Sequence, residues 1–127
     1  MGHGMPIGPD IVGALRLELR RGSLILAVLG TLRSEKYGYT LKTELGEAGV
    51  DIDEGALYPM LRRLEAQGLL TSEWREDARR QKRFYRLSAD GAAALEHLTQ
   101  EWRGMNRALE RILGGPPAAA GLKEGRQ

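Results

Sequence analysis

Five basic side chains lie within nine residues in the second half of the chain. They are Arg79, Arg80, Lys82, Arg83 and Arg86, and the segment 78–86 contains no acidic residue. Arginine and lysine neutralise phosphate groups and release their bound counterions, which is the chemistry of nucleic-acid binding. A run of cations is also typical of a solvated loop, so its meaning depends on the elements around it.

A second candidate set lies on one face of a helix predicted from Glu54 to about Gln67. Asp53 can cap this helix, Gly68 ends it, and its buried stripe is Leu57, Met60, Leu61 and Leu64. The opposite face, predicted to meet solvent, carries Gly55, Tyr58, Pro59 and Arg62. In a major groove Arg62 can pair with guanine, and Tyr58 can reach a phosphate or a thymine methyl. The ordinary alternatives are a solvated arginine, a half-buried tyrosine and a tolerated early-helix proline.

Acidic residues precede this helix. Between Tyr37 and Glu54 the only cation is Lys42, against Glu44, Glu47, Asp51, Asp53 and Glu54. Acids near a helix N-terminus stabilise the helix dipole, but they repel phosphate. We therefore expect Arg62 and the basic segment to carry the affinity, while Glu54 could accept a hydrogen bond from cytosine. If each protomer of a dimer neutralised about four phosphates, the logarithm of affinity would fall with the logarithm of salt at a slope of about −7.

The spacing of apolar residues predicts the elements that hold these side chains. Asp10 is expected to cap a first helix, Gly22 to interrupt it, and Ser23 to cap a buried helix that reaches Leu32. A short helix is predicted from Thr40 to Ala48. The period then changes from helical to alternating over residues 70–75 and 84–87, which predicts a hairpin around a polar loop from Asp77 to Gln81. Ser88 is expected to cap a long last helix ending at Leu113.

The last helix has the pattern of a coiled-coil seam. Its apolar residues alternate in steps of three and four: Leu95, Leu98, Trp102, Met105, Leu109 and Ile112. This strict spacing favours self-association, with Ile11, Leu15 and Leu19 of the first helix completing the interface; the alternative is a seam packed on its own domain. Near a two-fold axis, two Trp102 rings could leave a slot for a planar aromatic ligand, although a simply packed tryptophan is the more common outcome.

Composition excludes several other classes of protein. The 127 residues can build one compact core and contain no cysteine, which excludes disulfides and thiolate catalysis and makes the cytoplasm the default location. The longest apolar stretch, from Leu24 to Leu32, is too short to cross a bilayer. With only two histidines, no nucleophile elbow and no phosphate-binding glycine loop, the sequence predicts no enzyme, metal site or cofactor. The net charge of +2 does not by itself indicate DNA binding.

Taken together, several short motifs resemble the PadR family of bacterial winged-helix transcriptional regulators. The motifs are Arg21-Gly22-Ser23-Leu24, Tyr37-Gly38-Tyr39-Thr40-Leu41, Gly55-Ala56-Leu57-Tyr58-Pro59, Gly68-Leu69-Leu70, and RQKRFYRLS at residues 80–88 before Gly91. The resemblance implies a homodimeric repressor of a palindromic operator, with small aromatic or drug-like inducers in some members. The single C-terminal helix is similar to the short subfamily, in which a tryptophan matched by Trp102 stacks on planar ligands. Ala56 replaces a frequent threonine or serine, and Phe84 replaces the first tyrosine of the usual pair.

The sequence thus predicts a mainly α-helical winged helix-turn-helix with a small β-hairpin and a long C-terminal dimerisation helix. Its expected divisions are a disordered leader (1–9), a DNA-binding domain (10–88), a dimerisation helix (89–113) and a disordered tail (114–127). Expected partners are double-stranded DNA with a palindromic operator, a second copy of the chain, and a planar aromatic effector bound by Trp102 and Met105. The predicted DNA contacts are Tyr39, Gly55, Ala56, Tyr58, Pro59, Arg62, Arg79, Arg80, Lys82 and Arg83. The alternative is a winged-helix dimer that binds protein or RNA without operator specificity.

Overall fold

A computed structural model describes residues 8–114, so most of the predicted leader and tail lies outside the described residues. The elements in chain order are α1 (Pro9–Thr31), β1 (Lys36–Tyr37), α2 (Gly38–Glu47), α3 (Glu54–Ala66), β2 (Leu70–Asp77), β3 (Arg80–Leu87) and α4 (Ala89–Leu113). The three strands form an antiparallel sheet in the order β1-β3-β2. The prediction of a mainly helical protein with a small hairpin and a long last helix is confirmed.

Helix α1 differs from the prediction at both of its expected caps. Gly8 occupies the cap position, and Asp10 lies inside the first turn, so the expected Asp10 cap is wrong. The helix also continues through Gly22 and Ser23, where a break was predicted. A helical glycine costs only about 1 kcal/mol relative to alanine. The unbroken hydrogen-bond ladder and the burial of Val28 and Leu29 farther along the helix outweigh that cost.

The core forms where α1, α2, α3 and the sheet meet. Its fully buried members are all aliphatic: Val28, Leu29, Leu32, Leu41, Leu45, Leu57, Leu61, Leu64 and Leu70. The stripe predicted for α3 is buried as expected, and the Asp53 carboxylate caps that helix by accepting a hydrogen bond from the Ala56 N–H at 2.9 Å. The cap and the stripe together fix which face of α3 remains outside.

The hairpin of β2 and β3, called the wing below, is longer and tighter than predicted. Its register runs from Leu70 opposite Leu87 to Asp77 opposite Arg80, which leaves a turn of two residues instead of a polar loop. Those residues, Ala78 and Arg79, have φ of 54° and 67°, the left-handed geometry that two-residue hairpin turns require. The pairing of β1 with β3 was not predicted, because a two-residue strand shows no alternation.

Helix α4 is attached to the junction between α3 and β2. The Ser88 hydroxyl donates to the Gly68 carbonyl at 2.7 Å and accepts from the Gly91 N–H at 2.9 Å, which confirms the predicted Ser88 cap. The Ser88 N–H donates to the Leu69 carbonyl at 3.1 Å. Gly91 is buried against the same peptide, and a methyl group there would overlap the Leu69 carbonyl oxygen. The start of α4 is therefore fixed relative to the end of α3.

Candidate DNA-binding surface

The outer face of α3 presents four of the ten residues predicted to contact DNA. Gly55, Ala56, Pro59 and Arg62 are exposed opposite the buried stripe. Pro59 has no N–H, so it cannot donate the helical hydrogen bond to the carbonyl of Gly55 four residues earlier. This face of α3 therefore combines small side chains, the Gly55 carbonyl without its usual helical donor, and Arg62.

Tyr58 was predicted to face solvent, with a half-buried tyrosine as the alternative, and the structure shows the alternative. Its ring is half-buried against Gly38 at the start of α2, where an added Cβ would lie only 2.8 Å from the Tyr58 Cζ. Burial raises the pKa of the Tyr58 hydroxyl above the ordinary 10.0, and the Glu54 carboxylate raises it further. The phenol therefore stays neutral near pH 7 and keeps its proton to donate.

Successive side chains of the wing strands point to opposite faces of the hairpin, and one of these faces lies against α3. Ser72 and Arg83 on this face meet Glu65 of α3: the Ser72 hydroxyl donates to one carboxylate oxygen at 2.7 Å, and Arg83 donates to the other at 2.9 Å. The Arg83 Nε also donates to the Ser72 hydroxyl at 2.9 Å. This closed network fixes the wing relative to α3.

Four of the five cations of the basic segment fall into two groups, and the fifth, Arg86, lies at the base of the hairpin. Lys82 pairs with Asp77 at 3.2 Å and lies over the Tyr37 ring, while Arg83 is held by Glu65. Arg79 and Arg80, at the tip, are exposed and have no carboxylate within 4.0 Å in residues 8–114. The tip arginines are therefore the cations of the wing best placed to meet a phosphate.

A groove of about 410 Å³, the helix-wing groove, separates α3 from the wing. Of the residues described, those that line it include four cations and no carboxylate. The cations are Arg62, Arg80, Lys82 and Arg83, and the aromatic side chains are Tyr37, Tyr39, Tyr58, Trp74 and Tyr85. Such a lining suits a polyanion with apolar parts.

The cleft on the other side of the α3 N-terminus has the opposite charge. Asp51, Asp53 and Glu54 line it, with Lys42 as its one cation among the described residues. Tyr39, which is 65% exposed, borders both this acidic cleft and the helix-wing groove. Phosphate is repelled on the α2 side of α3 and attracted on the wing side. A DNA strand therefore fits against α3 on the side of the wing.

A separate apolar surface runs along α1 and α4. Exposed apolar side chains on α1 include Ile11, Leu15 and Leu19, and those on α4 include Leu98, Trp102, Met105, Leu109 and Ile112. Leu95 is different, because it is only 6% exposed and packs in the core of its own protomer. The contribution of Leu95 to a dimer interface remains a prediction.

These features match one known family. The model of the "Transcriptional regulator PadR-like family" matches residues 25–97. The chain belongs to this family. PadR-family proteins are transcriptional regulators that bind DNA, generally as dimers, and are not enzymes. The predicted family, the winged-helix fold and the absence of enzymatic activity are thereby confirmed.

Relatives of this PadR-family chain are found among both sequences and structures. It is 38% identical over 105 residues to "Transcriptional regulator Rv3488" of Mycobacterium tuberculosis, an alignment that covers 82% of this chain and 95% of that protein. A PadR family transcriptional regulator from Eggerthella lenta is 39% identical with a TM-score of 0.75, over 82% of this chain and 93% of that one. A PadR-like transcription factor from Bacteroides fragilis is 29% identical with a TM-score of 0.67, over 78% and 98% respectively.

Other kinds of site find no support in the part of the chain that the structure describes. None of its helices has the length and hydropathy needed to cross a bilayer. Between residues 8 and 114, no three histidine or carboxylate side chains gather as metal ligands would.

The sequence interpretation missed three residues that shape the surface. Glu65 and Ser72 fix Arg83, and Trp74 lines the helix-wing groove. The alternation of β2 placed Ser72 and Trp74 on one face of the hairpin, but which face meets α3 depends on how the sheet packs.

Proposed function

We propose that this PadR-family regulator is a homodimeric repressor that binds a palindromic operator and is released by a planar aromatic ligand. The observation that carries the proposal is the presence of two separate surfaces on one protomer. One is the cationic face of α3 and the wing, and the other is the apolar surface of α1 and α4. The first suits DNA, and the second suits a second copy of the chain.

The exposure of the seam supports dimerisation. In the single protomer Trp102 is 44% exposed, Met105 61% and Ile112 76%. Contiguous apolar side chains of this kind mark interaction sites on soluble proteins. A two-fold axis through α4 would repeat the α3 and wing surface, and a symmetric dimer reads an inverted repeat with half-sites about one helical turn apart.

A cavity beside Trp102 supports the ligand part of the proposal. It measures about 290 Å³, and its lining is largely apolar, with Leu26, Ala27, Leu95 and Trp102 in its wall. Arg33 also contributes to its lining. Met105, predicted as a second ligand contact, does not line this cavity and is 61% exposed. A flat ring against Trp102 would press on both α1 and α4, and α4 is fixed to the end of α3.

Footprinting on the DNA upstream of the chain's own gene tests operator binding. We expect two protected half-sites that are inverted copies of each other. Arg62→Ala should relax the base preference within each half-site, because a bidentate arginine contributes about 1–3 kcal/mol of discrimination. A reporter gene behind the protected promoter should be transcribed more when the regulator is absent. Equal affinity for the upstream DNA and a scrambled duplex would contradict operator specificity.

Sedimentation tests the dimer. Wild type should sediment as a dimer at micromolar concentration, and Met105→Glu should shift it towards the protomer, because an unpaired carboxylate would be buried in the seam. The matched control is Arg107→Glu, which introduces the same side chain on α4 outside the heptad positions of the seam. A lone protomer for the wild type would refute the proposal.

Tryptophan fluorescence tests the ligand. A flat, uncharged aromatic dye should quench emission and, at saturation, release the operator. Quenching that persists unchanged in Trp102→Ala would place the dye elsewhere.

A further inference from the structure

Trp74 is a large apolar side chain in an unusual position on the wing. It is 61% exposed, yet it lies on the hairpin face that turns towards α3, in register with Arg83 and two residues beyond Ser72. Single exposed apolar residues are common and need no explanation. Trp74, however, stands in the wall of the helix-wing groove with the cations and aromatic rings described above.

The side chain of Trp74 rests against a fixed support. The Arg83 guanidinium lies 5.6 Å from the centre of the Trp74 ring, and hydrogen bonds to Glu65 and Ser72 hold that guanidinium in place. Arg83 is thus a positioning residue, with its charge directed to Glu65. An indole supported in this way loses little conformational entropy when a partner packs on its open side.

The chemistry of the groove identifies the partner. Two of its four cations, Arg62 and Arg80, have no carboxylate partner, and no carboxylate lines the groove among the residues described. The groove therefore attracts an anion, while the exposed indole offers apolar area. The indole N–H has no hydrogen-bond acceptor among residues 8–114, so it remains free to donate. The DNA backbone combines phosphate oxygens, which accept hydrogen bonds, with deoxyribose rings, which present an apolar surface.

We propose that Trp74 contacts DNA by packing its indole on the sugar-phosphate strand that runs between α3 and the wing, with its N–H donating to a phosphate. This inference rests on the proposed function, because it needs a duplex seated on α3 and the wing. In that arrangement the strand separating the major groove, where α3 lies, from the minor groove, near the wing tip, must cross the helix-wing groove.

Two measurements on the full chain test the proposal. The first is the anisotropy of a labelled duplex carrying the upstream DNA, titrated with wild type, Trp74→Phe and Trp74→Ala. Losing the packed indole should weaken binding roughly tenfold for Trp74→Ala and less for Trp74→Phe, which keeps a ring but not the N–H. No charge is removed, so the dependence of affinity on salt should stay that of wild type.

The second measurement is intrinsic emission with acrylamide as quencher. DNA should shift the emission of wild type and protect it from acrylamide, with the same midpoint as the anisotropy. This DNA-dependent change should be absent in Trp74→Phe, which retains Trp102. If Trp74→Ala fails to fold, the comparison of wild type with Trp74→Phe still decides the matter.

The outcomes separate this inference from the function on which it rests. If wild type binds no duplex at any salt concentration, the proposed function fails and the inference fails with it. If wild type binds DNA but its emission does not respond and Trp74→Ala binds equally well, the inference alone is overturned. If Trp74 emission responds instead to an acidic peptide while DNA leaves it unchanged, the groove serves a protein partner and the inference is wrong.

Discussion

Replacing Arg79 and Arg80 together with glutamine should remove more than half of the salt dependence of DNA binding. The structure leaves three unpaired cations per protomer where a phosphate can be met, Arg62 and the two tip arginines, because Lys82 and Arg83 already pair with carboxylates. Arg86 lies at the base of the hairpin, opposite Thr71. On DNA that lacks the operator, Arg62 has no matching guanine to read and is counted here as a phosphate contact. Three such contacts per protomer, six per dimer, give a slope of about −5, less steep than the −7 expected for four phosphates per protomer.

The double variant retains one such cation per protomer, so its slope should be about −2. Between about 50 and 200 mM salt, wild-type affinity should then fall about a thousandfold, and that of the variant about tenfold. Anisotropy of a labelled duplex of scrambled sequence, about 30 base pairs long, measures this electrostatic part without needing the operator.

The matched control removes the same charge from α4. Arg103→Gln with Arg107→Gln changes two exposed arginines off the heptad seam, and its slope should remain close to that of wild type. If both double variants lose the same slope, total charge rather than position controls binding. If the wing variant keeps the wild-type slope, the tip arginines do not contact phosphate. The argument that the unpaired cations are the ones that bind DNA is then refuted.

Two further predictions concern stability. Gly91→Ala should lower the free energy of unfolding, measured in urea, by about 2 kcal/mol, because the added methyl group would overlap the Leu69 carbonyl oxygen. Gly104→Ala should instead raise it by about 0.5–1 kcal/mol, because a Cβ there meets nothing closer than 3.8 Å. Equal effects of the two substitutions would contradict this account of the α4 junction. Burial raises the pKa of the Tyr85 hydroxyl above 10.0, so above about pH 10 the unfolded chain binds fewer protons than the folded one and stability should fall as pH rises. Thermal unfolding between about pH 9 and 11 should show this fall in wild type and less of it in Tyr85→Phe; an identical profile for the two would remove Tyr85 as the cause.

Features that depend on neighbouring residues were predictable from the sequence. The Asp53 and Ser88 caps, the buried stripe of α3 and the hairpin over residues 70–87 follow from local hydrogen bonds and from the period of the apolar residues. The motifs that carry the family resemblance lie in these same elements. The prediction was wrong at Gly22, where a helix that continues and a helix that breaks differ in free energy by only about 1 kcal/mol.

Only the tertiary structure decided which side chains are free to act. The sequence gives Arg79 and Arg83 the same charge in the same segment, but packing brings Glu65 to Arg83 and leaves Arg79 exposed. Packing likewise tucks Tyr58 against Gly38 and turns Trp74 towards α3. These differences arise from contacts between residues distant in the chain, and the spacing of residues within one element carries no information about them.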